Sequence, residues 1–237
     1  LTVEKFGGEV LYTEDITFSS SNLSNRVMSL YPEETAAYLK ELRSRITVDD
    51  VKKEVAAVEK KRCLVIGDTI LDEYIYVEAL GKPAKENITP TKYRSREIFC
   101  GGAIATANLV GQVCAGVDLV TLLGKSLSHE DLIRANLNQN VNLVPFYREG
   151  GQTTVKSRLV DPAYVKKLIE VAYISDEALP PAEQATLNDW VEKNITNYDA
   201  VIVNDFGHGM IDDGLVDIVC RKSKFLAVNA QTNSANR

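Results

Sequence analysis

Apolar and polar positions along the chain fall into alternating blocks of two lengths. Short apolar runs of strand size lie near residues 63, 118, 141, 200 and 225, and stretches with apolar residues at helical spacing lie near 104–114, 130–139, 181–195 and 213–222. The first run, Leu64, Val65 and Ile66, has no polar interruption, the pattern of a parallel strand covered on both faces. Pro180 and Pro181 mark the start of the third helix. Strands alternating with helices predict an α/β fold, a mostly parallel sheet with right-handed crossovers. Residues 153–160 alternate residue by residue and read as a strand with Lys156 and Arg158 on one face.

Residues 31–62 differ in texture, being rich in Glu, Lys, Ala and Leu. Ala36, Leu39 and Leu42, then Val51, Val55 and Val58, give two amphipathic helices. Pro32 stands near the first start, Thr47 with Asp49 or Asp50 supplies caps for the second, and Glu41 is spaced to pair with Arg45. This segment is expected to join two domains or to buttress a neighbour, its charge runs marking solvated faces.

Candidate chemistry collects where strands meet glycines. Gly67-Asp68 follows the first apolar run and Asp72 is expected one turn later, where ligands gather in open α/β sheets. Carboxylates accept hydrogen bonds from vicinal hydroxyls, so Asp68 and Asp72 suit a polyol; a turn cap and a solvated acid fit the same residues. Gly101-Gly102 opens an Ala-rich helix, letting a ligand approach free N–H groups at the helix start. Lys156 and Arg158 suit a sugar phosphate or the charged outer face of an edge strand. Residues 199–210 form another strand ending in Asp205, His208 and Gly209.

That order of strand, GD, a later acid and GG opening a helix resembles the N-terminal half of the ribokinase/PfkB carbohydrate kinases, and GDTILDEY looks closest to the heptose-phosphate kinase module of bifunctional ADP-heptose synthases. The resemblance implies a three-layer α/β/α domain with a small β lid at about 75–99 and 152–160. It makes Asp68, Asp72, Gly101, Gly102, Lys156 and Arg158 substrate contacts and puts Asp205, His208 and Gly209 near the phosphoryl-transfer site, with His208 where a lysine usually stands. Ala105 stands where the family carries an Asn, and Asn108 comes three residues later; Lys167 and Glu170 are loose counterparts of an Arg-x-Asp-like pair. The family's N-x-x-E and G-A-G-D motifs do not occur, so no catalytic residue is expected within the chain. The C-terminal part of the domain is expected beyond Arg237, and this portion alone is expected to be inactive. The resemblance further implies ATP and Mg2+ as requirements of the intact parent and a homodimer through the lid.

At the other end, Ser19, Ser20 and Ser21 followed by Arg26 look like the closing motif of cytidylyltransferase-like nucleotidyltransferases, although an ordinary serine cap reads the same. The expected layout is therefore a nucleotidyltransferase tail over 1–30, a helical linker over 31–61, and part of a ribokinase-like domain over 62–237. The parent would be a sugar or sugar-phosphate kinase; a catalytically silent sugar-binding or dimerisation module attached to a nucleotidyltransferase is the alternative.

Composition narrows the partners. With 45% hydrophobic residues among 237, the chain can bury a sizeable core. Its net charge of -6 and lack of a basic aromatic stripe argue against nucleic acid. No apolar run is of membrane-spanning length. Four cysteines without CxxC spacing fit a reducing cytoplasm, and two histidines without a ligand cluster predict no metal site. A dinucleotide-binding oxidoreductase is disfavoured because no G-x-G-x-x-G follows the first strand.

Overall fold

A computed structural model describes residues 4–8, 31–81, 88–164 and 166–231, which leaves Ser19, Ser20, Ser21 and Arg26 outside the described residues. The chain divides into two units, Leu1–Lys53 and Glu54–Arg237, with the boundary inside a helix. Among the described residues the first unit contains a 3-10 turn, Glu4–Phe6, helix α1 (Glu33–Arg45) and the start of α2 (Val48–Val58). Glu33 and Glu34 open α1 and Arg43 and Arg45 close it, each sign matched to the helix dipole. The expected Glu41–Arg45 pair forms at 3.4 Å. The cap of α2 resolves to Thr47 with Asp50: the Asp50 N–H donates to Thr47 Oγ1 at 3.1 Å and the Thr47 N–H to Asp50 Oδ2 at 2.9 Å, a reciprocal capping box.

The second unit is built on a parallel sheet. Strand β1 (Arg62–Ala79) pairs on one side with β3 (Gly116–Gly124), which pairs with β4 (Val141–Arg148). On its other side β1 pairs with β7 (Ala200–Asp205), which pairs with β8 (Leu226–Ala230), so the order is β4-β3-β1-β7-β8 with all pairs parallel. Helices α5 (Pro181–Asn194) and α6 (Asp213–Lys222) cover one face through Leu187, Val191, Leu215 and Val219. Helices α3 (Ala103–Gly111) and α4 (Glu130–Asn136) cover the other through Ile104, Ala107 and Ile133. The core therefore lies in two apolar layers, one on each side of β1, as the uninterrupted run at 64–66 predicts.

Where the sequence reading ends the first strand at Gly67-Asp68, the chain instead continues extended for eleven more residues to Ala79. Gly67 does not break it, because the glycine lets β1 lie flush on β7: a Cβ there would sit 2.2 Å from the Asn204 carbonyl oxygen. Beyond Asp68 the strand leaves the core sheet and becomes the centre of a second one. It pairs antiparallel with β2 (Thr91–Gly102) and parallel with β5 (Thr154–Asp161), which pairs antiparallel with β6 (Lys166–Tyr173). The expected turn between Asp68 and Asp72 is corrected accordingly. Four residues of strand separate their Cα atoms by about 13 Å, so the two acids address different parts of any ligand.

Helices α3 and α4 are shorter than their apolar spacing predicts because asparagines end them. Asn108 Nδ2 donates to the Asn136 carbonyl at 2.8 Å, and its Oδ1 accepts from the Asn138 N–H at 2.9 Å. Asn140 donates to the carbonyls of Gly111 and Cys114. Asn108 thus stitches α3 to the end of α4 and has no role toward a ligand in this arrangement. Among the described residues no helix is long and apolar enough to cross a membrane.

Candidate functional site

The site forms where β1 passes from the core sheet into the lid. Asp68 stands at that crossing, only 3% exposed, and its Oδ2 accepts hydrogen bonds from the backbone N–H of Phe206 at 2.8 Å and of His208 at 3.5 Å. Burial pushes its carboxyl up to about 6, against the pull of those two N–H groups. A space of about 10 Å³ beside it, lined by Arg148, Thr154 and His208 among others, is about the size of one water. In this conformation Asp68 ties β1 to the glycine loop after β7.

Gly101 and Gly102 end β2 and begin α3. Gly102 takes φ 58° and ψ -136°, a backbone conformation open to glycine, and a Cβ on it would meet the Asp68 carbonyl oxygen at 2.4 Å. A Cβ on Gly101 would lie 2.7 Å from Asp72 Oδ2. The glycine pair therefore rests on the backbone of one acid and beside the carboxylate of the other. No side chain caps α3. Its uncapped first turn begins at the same corner as Asp72, and free N–H groups at a helix start suit an anion or a hydroxyl.

Alternation sorts the lid into two faces. Asp72, Tyr74, Lys156, Arg158 and Glu170 share one, with Asp72 opposite Lys156 and Arg158 opposite both Tyr74 and Glu170. Arg158 is engaged rather than free: its Nη1 lies 2.5 Å from Asp72 Oδ1 and its Nε 2.6 Å from Glu170 Oε2, and its guanidinium stacks 5.4 Å from the Tyr74 ring centre. Burial works against its charge, but the hydrogen bonds to Asp72 and Glu170 outweigh that and hold it above its ordinary value. Lys167 reaches the same ring at 5.9 Å, and Phe99 meets it edge-on. Among the described residues Lys156 has no ion pair or hydrogen bond, so it is a cation available on this face beside Asp72. Replacing Arg158 with alanine leaves two carboxylates facing each other across the lid and is expected to cost about 2 kcal/mol in chemical denaturation, whereas Glu170→Gln, at a half-exposed partner, costs under about 1 kcal/mol. Equal losses from the two variants would contradict this ranking.

The loop after β7 is placed differently from its role by resemblance. His208 is buried, with Nδ1 3.4 Å from Thr154 Oγ1, and burial together with nearby Lys156 holds its ring below the ordinary histidine value. It is packed at the lid hinge beside Asp68, Arg148 and Thr154. Gly209, at φ 76°, brings the loop against the Glu177 carbonyl, which a Cβ would meet at 2.3 Å. Asp205 caps its own loop by accepting from the Gly207 N–H at 2.9 Å, and it borders a cleft of about 630 Å³ shared with Asp176, Asn188 and Asp212. The structure thus brings Asp72, Gly101, Gly102 and Lys156 to one corner, places Asp68 beneath it, and leaves Asp205 on a separate cleft. Sequence reasoning overlooked Arg148, whose buried guanidinium donates to the carbonyls of Glu177 and His208. Its signal was a lone cation ending a mostly apolar strand, directly before Glu149-Gly150-Gly151.

No family model matches the chain. A protein of Trichlorobacter lovleyi named Bifunctional protein HldE is 26% identical over 150 residues, covering 63% of this chain and 30% of that protein. Among solved structures, a carbohydrate kinase from Agrobacterium tumefaciens superposes with a TM-score of 0.54 at 20% identity, over 71% of this chain and 53% of that one. The phosphofructokinase-2 of Escherichia coli in complex with fructose-6-phosphate does so at 0.55 and 13%, over 73% and 56%. The chain therefore spans about a third of the length of the curated relatives it matches and just over half of these structures. Its fold is the ribokinase-like fold of carbohydrate kinases.

Proposed function

We propose that this chain, a sequence relative of proteins named HldE with the fold of carbohydrate kinases, is the substrate-binding half of an enzyme that transfers phosphate from ATP to a sugar or sugar phosphate. The observation that carries this reading is the corner itself: the open N-terminus of α3 behind Gly101 and Gly102, the Asp72 carboxylate beside it, and unpaired Lys156 across the β1–β5 pair. Asp72 and the helix N–H groups suit hydroxyls, and Lys156 suits a phosphate or other anion on the same ligand. Arg158, held by two carboxylates, orients Asp72 rather than the phosphate.

No group of three or more His, Cys, Asp or Glu side chains among the described residues could hold a metal ion, so no magnesium-dependent step is placed on them. Strand β8 ends the described sheet, with Val228 exposed on it, and would accept further strands of a complete kinase domain. The lid face opposite Asp72 is largely apolar around the Glu73–Arg96 ion pair. Leu71, Ile98, Val155, Leu159, Val171 and Tyr173 line a groove of about 700 Å³ there, which supports a homodimer formed through the lid.

A catalytically silent sugar-binding module is favoured over a kinase by one observation, the burial of His208 where the family carries a lysine. Both readings share the binding corner, so its test comes first. Calorimetric titration with hexose and heptose phosphates is expected to show tighter binding than with the unphosphorylated sugars, weakening with added salt. Lys156→Met should cost about tenfold or more in affinity for the phosphates alone. A Lys156→Met variant that binds the phosphorylated sugars as tightly as the wild type does would remove the phosphate role.

A further inference from the structure

The loop that carries Asp205 is gripped from two sides by groups of opposite charge. The Asp68 carboxylate takes its N–H groups at Phe206 and His208, and Arg148, at the end of β4, takes its carbonyl: Nη2 donates to His208 O at 2.8 Å. The same guanidinium donates through Nη1 to the Glu177 carbonyl at 2.5 Å, four residues past the end of the last lid strand. One buried side chain thus joins the lid's return to the core, the glycine loop and the end of β4. The joint is close-packed. A Cβ on Gly209 would lie 2.3 Å from Glu177 O, and one on Gly151 would lie 2.7 Å from Arg148 Cδ, so neighbouring glycines admit both the loop and the arginine stem. Asp68 itself is the last residue of β1 paired to the core strand β3 before the chain enters the lid. Both grips therefore sit on lid hinges, one where β1 enters and one where β6 returns.

We propose that Arg148 is a positioning residue that couples the lid to the Asp205 loop, so that a change in lid position is transmitted to that loop through the Glu177 and His208 carbonyls. The clamp stands on the geometry alone; its consequence for a bound sugar phosphate rests on the function proposed above. A guanidinium can serve both carbonyls at once from one planar fork, which an ammonium cannot. Its loss leaves the Glu177 and His208 carbonyls without their charged donor.

Amide hydrogen exchange read by mass spectrometry tests this on the intact chain. In Arg148→Met, exchange over 206–210 and over 174–178 is expected to rise together by about tenfold to a hundredfold, the scale of a lost charge-assisted hydrogen bond, while the centres of β3 and β4 keep their protection. Arg148→Lys, which keeps the charge, should show the same paired rise to a smaller degree, and it serves as the reading if the methionine variant does not fold. Unchanged exchange at either segment, or a uniform rise across the whole domain, overturns the proposal. In the wild type a bound hexose or heptose phosphate should slow exchange at 206–210, and that response should vanish in Arg148→Met. A ligand that fails to bind the wild type at all would count against the binding corner and leave the clamp to the paired-exchange result. Binding with the response retained in the variant would overturn the coupling.

Discussion

Replacing Gly102 with alanine is expected to lower the stability of the domain by about 3 kcal/mol, the combined scale of a strained backbone and an overpacked side chain less the entropy gained in the unfolded chain. Two independent features set this size. At φ 58° and ψ -136° the backbone occupies a region that side chains with a Cβ avoid, and the added methyl would lie 2.4 Å from the carbonyl oxygen of Asp68 and 3.2 Å from the N–H nitrogen of Ile70. Neither neighbour can yield, because both belong to the strand that joins core and lid. Gly101→Ala is the control: its Cβ would meet the Asp72 carboxylate, which can rotate away, so it should lose ligand affinity with little loss of stability. Urea denaturation of both variants decides the matter, and a Gly102→Ala loss below about 1 kcal/mol would mean that the turn is not held as described.

The second large effect concerns pH. Asp68 is pushed up to about 6 in the folded chain from an ordinary value of 3.8. Between those values the folded state binds more protons than the unfolded one, so stability falls as pH rises through this window. The contribution is absent below about pH 4 and reaches its full cost above about pH 6, on the order of 3 kcal/mol for a shift of this size. Asn at this position keeps an oxygen to accept the Phe206 N–H but carries no charge to desolvate. The stability of Asp68→Asn relative to wild type should therefore increase from pH 4 to pH 7 by about 2 to 3 kcal/mol, measured as urea midpoints across that range. A difference that stays constant with pH would show that Asp68 is solvated or fully compensated. His208 acts in the opposite direction: its lowered value means that stability is lost as pH falls below the ordinary histidine range.

The alternation of apolar runs and helical stretches located the five core strands and the helices, because each element repeats one period long enough to show which faces are buried. The lid was harder to see. Strand β1 reads as two short segments because Gly67 and Asp68 carry turn chemistry, and only the close approach of Asn204, nearly 140 residues away, explains a glycine inside a continuous strand. Strand β6 escaped because every residue from Lys166 to Tyr173 is exposed, so no burial period marks it, although the alternation of Leu168, Glu170 and Ala172 with Ile169, Val171 and Tyr173 was present. At the site, Asp72, Gly101, Gly102 and Lys156 could be nominated from local patterns. The engagement of Arg158 by Asp72 and Glu170, the structural use of Asn108 and the clamp at Arg148 depend on pairs distant in sequence, which no local pattern contains.

The central claim is that a sugar phosphate binds at the corner between α3 and the lid. Titration of the 15N-labelled chain with fructose 6-phosphate and a heptose phosphate, followed by amide chemical shifts, tests it most directly. Saturable shifts should centre on Gly101, Gly102, Ala103, Asp72 and Lys156, and the same titration of Lys156→Met should require higher ligand concentrations. Shifts that centre instead on the cleft of Asp176, Asp205 and Asp212, or none with either ligand, would contradict the account.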